Sequence, residues 1–397
     1  MENYRLIIEI LFWFAVFLVF YTYLGYGVLL FILVKVKELF CGKSDSFQAP
    51  EILPEVTLFI AAYNEEDIIL DKMMNCQALA YPKDKLKIIW ITDGSTDNTN
   101  NLLSKYPEVT TLYQPQRQGK TAALNRGIKF VTTPFVVFTD ANTMLNKDAI
   151  TEIIKYFSNS KVGCVAGEKR VEIQARQGAT AGEGIYWKYE SALKDLDFRL
   201  YSAVGAAGEL FAIRTNLFEQ MPDDTLLDDF ILSLRIAQKG YKIAYCKNAY
   251  AIESASLNMQ EEEKRKMRIA AGGLQSIWRL RSLLNVFRFR TLSFQYISHR
   301  VLRWTITPLF LFILIPLNLL LIKGSLFYTA IFILQTLFYI MAYAGYQFEQ
   351  RQLRNKLLFI PYYFLFMNIN VIKGFFYLKK NKGNGAWIKA KRNNSKK

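Results

Sequence analysis

The stretch from Phe135 to Met144, FVVFTDANTM, decides how this chain is read. Phe135-Val136-Val137-Phe138 is a short apolar run of β-branched and aromatic residues, the composition of a buried parallel strand. The run stops at Thr139-Asp140-Ala141-Asn142, where a strand must give way to a polar loop. In open α/β sheets ligands bind beyond the carboxyl ends of the strands, so Asp140 is expected to face a crevice. An Asp followed two residues later by another oxygen-bearing side chain suits a hard divalent cation holding a diphosphate. The same triplet also serves as an ordinary loop cap, so the surrounding chain has to discriminate between the two.

Around this strand end the sequence alternates regularly. Strands are expected at Val56–Ala62, Leu86–Thr92, Val109–Tyr113, Phe135–Thr139, Lys161–Ala166 and Tyr241–Cys246. Helices are expected at Glu65–Leu79, Thr99–Tyr106, Lys120–Phe130, Lys147–Phe157, Gly182–Leu200 and Asp228–Lys239. The rhythm predicts an α/β domain over residues 50–255 with a mostly parallel, doubly wound sheet.

The chain of 397 residues is 52% hydrophobic, and the excess gathers at its two ends. Leu6 to Val34 is almost continuously apolar, longer than the roughly 20 residues that a bilayer-spanning helix needs. Residues 1–36 therefore read as an N-terminal transmembrane helix. Lys35, Lys37 and Lys43 follow it and only Arg5 precedes it, which places the α/β domain in the cytoplasm, at a plasma or inner membrane. Residues 256–303 combine basic charge with apolar spacing, as an amphipathic interfacial helix or a solvated helix face would. Residues 304–378 hold the apolar runs Trp304–Ile322, Leu326–Tyr346 and Leu357–Leu378, and 379–397 form a basic tail expected in the cytoplasm. Three full crossings would put that tail outside. Either the last run is re-entrant or interfacial, or the N-terminal orientation is reversed.

The net charge of +16 sits beside the apolar segments, which favours an anionic lipid surface as partner. No basic-aromatic RNA-binding signature is present, so nucleic acid is not an expected partner. The four cysteines form no C-x-x-C pair, which argues against zinc and against a disulfide framework. With a single histidine, His299, read as structural at a membrane interface, acid/base chemistry falls to carboxylates.

Five patches fall at the loop ends of the α/β unit. They are Ala61-Ala62-Tyr63-Asn64-Glu65-Glu66, Thr92-Asp93-Gly94-Ser95-Thr96-Asp97-Asn98-Thr99, Gly119-Lys120 ahead of Ala123-Leu124-Asn125, Asp140-Ala141-Asn142, and Leu227-Asp228-Asp229-Phe230. In this order they resemble the family 2 inverting glycosyltransferases, the group that includes cellulose, chitin, hyaluronan and poly-N-acetylglucosamine synthases. The resemblance covers about Pro54 to Gly273. It implies a GT-A (Rossmann-like) nucleotide-sugar-binding domain with flanking transmembrane helices, and transfer from a UDP-sugar to a glycan or lipid-linked acceptor in surface polysaccharide synthesis. A processive synthase that also translocates its polymer, and a non-catalytic nucleotide-sugar-binding subunit, are the alternatives.

The resemblance also implies roles. Asp93 would hold the uracil and ribose edges of the donor. Asp97 either shares in that or caps the next helix. Lys120, at a helix start, meets a phosphate or is a plain surface lysine. Asp140 corresponds to the first acid of the D-x-D motif and, with Asn142, would hold Mg²⁺ or Mn²⁺. Asp229 corresponds to the second acid of the T-E-D motif and would act as catalytic base. Asp228 stands where that motif has Glu, and Leu227 where it has Thr. Gly205 to Arg214, with Gly208 and Glu209, resembles the acceptor-side segment. Trp187 would stack on a sugar or pack on the sheet. The Q-x-x-R-W motif of processive synthases aligns with Arg265 to Ile269 and keeps only Arg268, which would hold the diphosphate. Loss of its Gln and Trp argues against long-chain processivity.

Overall fold

A computed structural model describes residues 2–42, 47–171, 179–254, 256–351, 353 and 355–380, with side chains from 3 onward and none for 179–186. Lys43 and the expected basic tail beyond Lys380 lie outside these residues, as does the side chain of Tyr186, which with Trp187, Tyr189 and Glu190 reads from the sequence as able to meet a sugar or to pack on the sheet.

The elements run in the order α1 (Glu2–Phe20), α2 (Tyr26–Cys41), β1 (Val56–Ala62), α3 (Ile69–Gln77), β2 (Leu86–Asp93), α4 (Thr99–Leu103), β3 (Thr110–Gln114) and α5 (Lys120–Gly127). Next come β4 (Phe135–Asp140), β5 (Thr143–Leu145), α6 (Ala149–Tyr156), β6 (Val162–Val171), α7 (Ala179–Leu200), β7 (Leu210–Arg214), α8 (Asp228–Gln238) and β8 (Lys242–Glu253). The chain then continues through α9 (Met259–Arg279), α10 (Val286–Phe289), α11 (Thr291–Tyr296), α12 (Leu302–Trp304), α13 (Ile306–Leu321), α14 (Leu326–Gln350) and α15 (Lys356–Lys380).

Among the described residues the strands form one sheet in the order β3-β2-β1-β4-β7-β6-β8-β5. β1 to β4 are parallel neighbours, so Ala62, Asp93, Gln114 and Asp140 end on one edge. Successive side chains of a strand point to opposite faces. In β1, Leu58 and Ile60 accordingly pack with Met73 of α3 and Ile153 of α6, while Phe59 packs with Leu124 of α5 and Leu234 of α8. Both faces are covered by helices, as the α/β reading requires.

The sheet is more mixed than expected. β7 runs antiparallel to both β4 and β6, and β5 antiparallel to β8. The reversal brings the segment preceding Leu210 to the same edge as Asp140, because Thr139 is the register partner of Leu210. A short apolar run such as Leu-Phe-Ala-Ile carries no signal of strand direction.

Asn3–Cys41, Leu326–Gln350 and Lys356–Lys380 are long and apolar enough to cross a bilayer. Thr291–Trp304 and Ile306–Leu321 meet the same test together, bent by 53° between them. These helices mark a membrane protein. Within the basic stretch of residues 256–303, α9 ends at Arg279, and beyond the break Leu284, Val286 and Phe287 are exposed, as is Trp278 just before it. α15 lies along α9. Gly374 lets its backbone approach Ala270 and Ala271 closely, and Lys373 pairs with Glu263.

A buried polar knot ties the N-terminal helices to the α/β domain. Asp197 of α7 accepts from the Tyr26 hydroxyl and from Gln295, and stands 2.6 Å from His299 Nδ1. His299, read as structural, is thus fully buried and faces Asp197 and Glu190 of α7. Removing one member of such a knot strands its partners. Asp197→Ala should cost about 3–5 kcal/mol, and Tyr26→Phe about 1 kcal/mol. Melting temperatures in detergent check the ranking.

Candidate functional site

The carboxyl edge of the sheet opens into a cavity of about 330 Å³. Asp93, Lys120, Asp140, Asn142, Trp187, Gly208, Glu209, Asp228, Asp229 and Arg268 all line it, so every site residue expected from the sequence is brought together. They come from strand ends (Asp93, Asp140), helix starts (Lys120, Asp228, Asp229), the Gly205–Glu209 loop, α7 and α9.

The first wall is built on Asp93. Its carboxylate accepts the backbone N–H of Gly119 at 2.7 Å and that of Gln118 at 3.1 Å, fixing the turn that opens α5. Asp97 resolves as a cap. It takes the Thr99 N–H at 3.0 Å and also the Glu66 N–H at 3.1 Å, joining the first two loop patches. Arg117 stacks on Tyr63 at 3.7 Å, giving this wall a flat cationic and aromatic face that the sequence reading did not single out.

The floor is a cluster of acids compensated by few cations. Lys120 Nζ lies 2.7 Å from Asp140 Oδ1 and 3.8 Å from Asp228 Oδ2. Burial alone would weaken its charge, but Asp140, Asp228 and Asp229 together hold Lys120 above its ordinary value. Asp140 is nonetheless raised, because burial and the nearby Glu209 outweigh Lys120. Arg268 lies in the field of Asp140, Asp228 and Asp229, with burial lowering its pKa. Asp228 Oδ2 is a buried oxygen without a hydrogen-bond partner. Glu209 is taken up elsewhere: Lys169 is held between Glu209 and Glu253, and stands 4.9 Å from the Trp187 ring. Lys169 holds Glu209 well below the usual carboxylate range against the opposing effect of burial.

Asp229 differs from its neighbours. Burial first, and the adjacent Asp228 second, push its carboxyl up to about 7. Its one backbone bond, from the Phe230 N–H at 2.8 Å, and the positive end of α8 oppose that only in part. A Cβ on Gly208 would stand 3.2 Å from Lys120 Nζ and 3.5 Å from Asp229 Oδ2. The missing side chain leaves the space in front of the carboxylate open. A half-buried acid poised near neutrality beside an opening is equipped to take a proton.

The residues at the Asp140 loop fit a divalent cation. Their donors are oxygens, and the Asp140 carboxylate already holds a cation, the Lys120 ammonium. No cluster of three His, Cys, Asp or Glu suited to a metal occurs among the described residues. A hard divalent cation held by one or two protein oxygens would complete its shell from phosphates and water.

Beyond this floor the cavity extends to Glu190 of α7, one of the residues read as able to meet a sugar, and to residues the sequence did not flag: Lys194 of α7, Arg300 and Trp304 of the 291–304 segment, and Met367 and Val371 of α15. Ile269, at the motif position where Trp was expected, lines the cavity too, and Trp304 supplies an aromatic ring from another helix.

Comparison with known proteins agrees with this architecture. A mannosyltransferase from Pyrobaculum calidifontis, solved with GDP-Man and Mn²⁺, superposes with a TM-score of 0.73 over 94% of this chain and 99% of its own, at 20% identity. The fold is therefore of the GT-A glycosyltransferase type with flanking apolar helices. The family described as "Glycosyltransferase like family 2" matches residues 54–304, more than half of the sequence. This chain belongs to that family. It is 29% identical over 239 residues to a poly-beta-1,6-N-acetyl-D-glucosamine synthase of Staphylococcus aureus, covering 57% of this chain and 56% of that one. It is 28% identical over 216 residues to the probable glycosyltransferase YdaM of Bacillus subtilis, covering 49% of each. The chain thus spans about half the length of the curated relatives it matches.

An acid whose folded pKa is raised contributes stability that is complete below its unfolded value and lost as pH rises through the folded one. For Asp229 the loss falls between about pH 4 and about 7. Asp229→Asn should therefore melt above the wild type at pH 8, by up to about 4 kcal/mol, and show no such gain at pH 4. Melting temperatures of both proteins across this range check it.

Proposed function

We propose that the chain is an inverting membrane glycosyltransferase. It moves a sugar from a nucleotide-diphosphate sugar, a UDP-sugar, to a glycan or lipid-linked acceptor in the synthesis of a surface polysaccharide. The observation that carries this reading is the Asp229 carboxyl, held near neutrality behind the Gly208 opening and in one cavity with Asp140, Lys120 and Arg268.

In this reading the donor base and ribose lie against the Asp93 wall, and the diphosphate lies over Asp140 within reach of Lys120 and Arg268. Asp229 takes the proton of the acceptor hydroxyl. The acceptor oxygen forms a bond to the anomeric carbon as the bond from that carbon to the diphosphate breaks, so the configuration inverts. Lys120 and Arg268 balance the charge that grows on the leaving diphosphate. A divalent cation, Mg²⁺ or Mn²⁺, held by Asp140 and Asn142, would supply Lewis acidity to the same diphosphate. The α/β domain faces the cytoplasm of a plasma or inner membrane, with Lys35 and Lys37 at the inner end of the first span.

The test is nucleotide release from a panel of nucleotide sugars with purified protein in detergent. Wild type should consume one donor. Asp229→Asn should lose about 10²- to 10⁴-fold in rate while binding the nucleotide as before. The wild-type rate should also fall as pH drops below about 7, since the protonated carboxyl is no base. Equal rates for wild type and Asp229→Asn with the consumed donor would remove Asp229 from this role, and no release with any donor would contradict the enzyme reading.

A further inference from the structure

α3 buries a lysine where its pattern calls for an apolar residue. Ile69, Lys72, Met73 and Cys76 fall at i, i+3, i+4 and i+7 and make up its buried face. Lys72 is 0% exposed, and it is not one of the residues that line the cavity. Its ammonium is held by neutral oxygens: it donates to the Thr143 carbonyl at 2.6 Å and to the Thr139 hydroxyl at 3.3 Å. Burial pushes Lys72 down to about 8, against the fields of Cys76 and Asp140, so it stays charged at neutral pH. A charge in this position costs more than the apolar residue that would complete the stripe. Packing does not account for it.

What Lys72 holds is the turn between β4 and β5 that carries Asp140 and Asn142. Thr139 and Thr143 bracket Asp140-Ala141-Asn142, so the ammonium grips the turn on both sides from behind. Thr143 Oγ1 closes the turn by donating to the Asp140 carbonyl at 3.0 Å. Thr139 Oγ1 donates to the Glu209 carbonyl at 2.9 Å, which ties the turn to the loop before β7. Three residues along α3, Asn75 Nδ2 donates to the Leu145 carbonyl at 2.8 Å, and its Oδ1 accepts the Leu145 N–H at 2.9 Å. α3 thus clamps β5 at residues 143 and 145, and the clamp nearer the triplet is the cationic one. The Asp93 wall is built separately, on the N–H groups of Gln118 and Gly119.

We propose that Lys72 is a positioning residue for the donor diphosphate, setting from behind the angle at which Asp140 and Asn142 face the cavity. This rests on the glycosyltransfer reading above and adds to its donor site a residue that touches no ligand. A charge-assisted bond to a carbonyl is stronger than a neutral one, so the turn is held firmly at the residue that follows Asn142. Without the ammonium, the Thr143 carbonyl and the Thr139 hydroxyl lose a buried donor and the turn relaxes, while the Asp93 wall keeps its own hydrogen bonds. The loss therefore falls on the diphosphate and spares the nucleoside.

Calorimetric titration of the full chain in detergent with UDP, UMP, GDP and GMP, each with Mn²⁺ present, tests this. The wild type should bind the diphosphate of one base more tightly than the matching monophosphate. Lys72→Met, which keeps the length of the side chain and removes its charge, should lose about tenfold or more for that diphosphate and keep its affinity for the monophosphate. Asp140→Asn should show the same split. If Lys72→Met does not fold, Lys72→Gln is read by the same criteria. Equal losses for diphosphate and monophosphate would make Lys72 a merely structural residue and overturn the proposal. So would unchanged diphosphate binding in the Lys72 variant beside a split in Asp140→Asn, with the glycosyltransfer reading left standing. No split in Asp140→Asn would take Asp140 away from the diphosphate, and the proposal would fall with it. Nucleotide release by the wild type, measured in parallel, reports on the glycosyltransfer reading alone.

Discussion

The ion pair between Lys120 and Asp140 is the contact on which the cavity depends. Asp140, Asp228 and Asp229 converge on one buried edge, and like charges in a low-dielectric setting cannot all ionise without compensation. Lys120 lies within 4 Å of two of them and in the field of the third. The compensation is incomplete. Asp140 and Asp229 are both raised, and Asp228 keeps an orphaned oxygen. The site is therefore strained toward cations, and its least compensated acid, Asp229, is the one poised to exchange a proton. Lys169 serves a different purpose, neutralising Glu209 and Glu253 so that they do not add fully to the negative field.

The fold creates this convergence by direction. Parallel β1, β2 and β4 deliver Asp93 and Asp140 to one edge, and antiparallel β7 returns the Gly205–Glu209 loop to it. α8 starts there with two acids at its positive end, where the helix dipole favours them. α9 and α15 close the far side, and α7 links the cavity to the first span through Asp197 and Tyr26. The cavity and the apolar helices thus share walls.

Much of this was legible in the sequence because its signals are local. Strand ends at Ala62, Asp93 and Asp140, the Asp228-Asp229 helix start and the small residues near Gly208 are each readable within a few residues, and all of them meet in the cavity. β7 was not legible as a strand, nor was its direction, since a five-residue apolar run carries no mark of its neighbours. Neither was the group around Glu190. Its partners Arg300 and Arg303 lie more than a hundred residues away, and a basic stretch beside apolar segments reads first as a membrane surface. The partners of His299 were hidden for the same reason: both carboxylates come from another helix.

The most direct test of the central claim is the configuration of the product. NMR coupling constants of the new glycosidic linkage, compared with those of the consumed nucleotide sugar, report whether the anomeric carbon inverted. A single base at Asp229 acting on the acceptor without a covalent intermediate predicts complete inversion. A product that retains the donor's configuration would contradict the account.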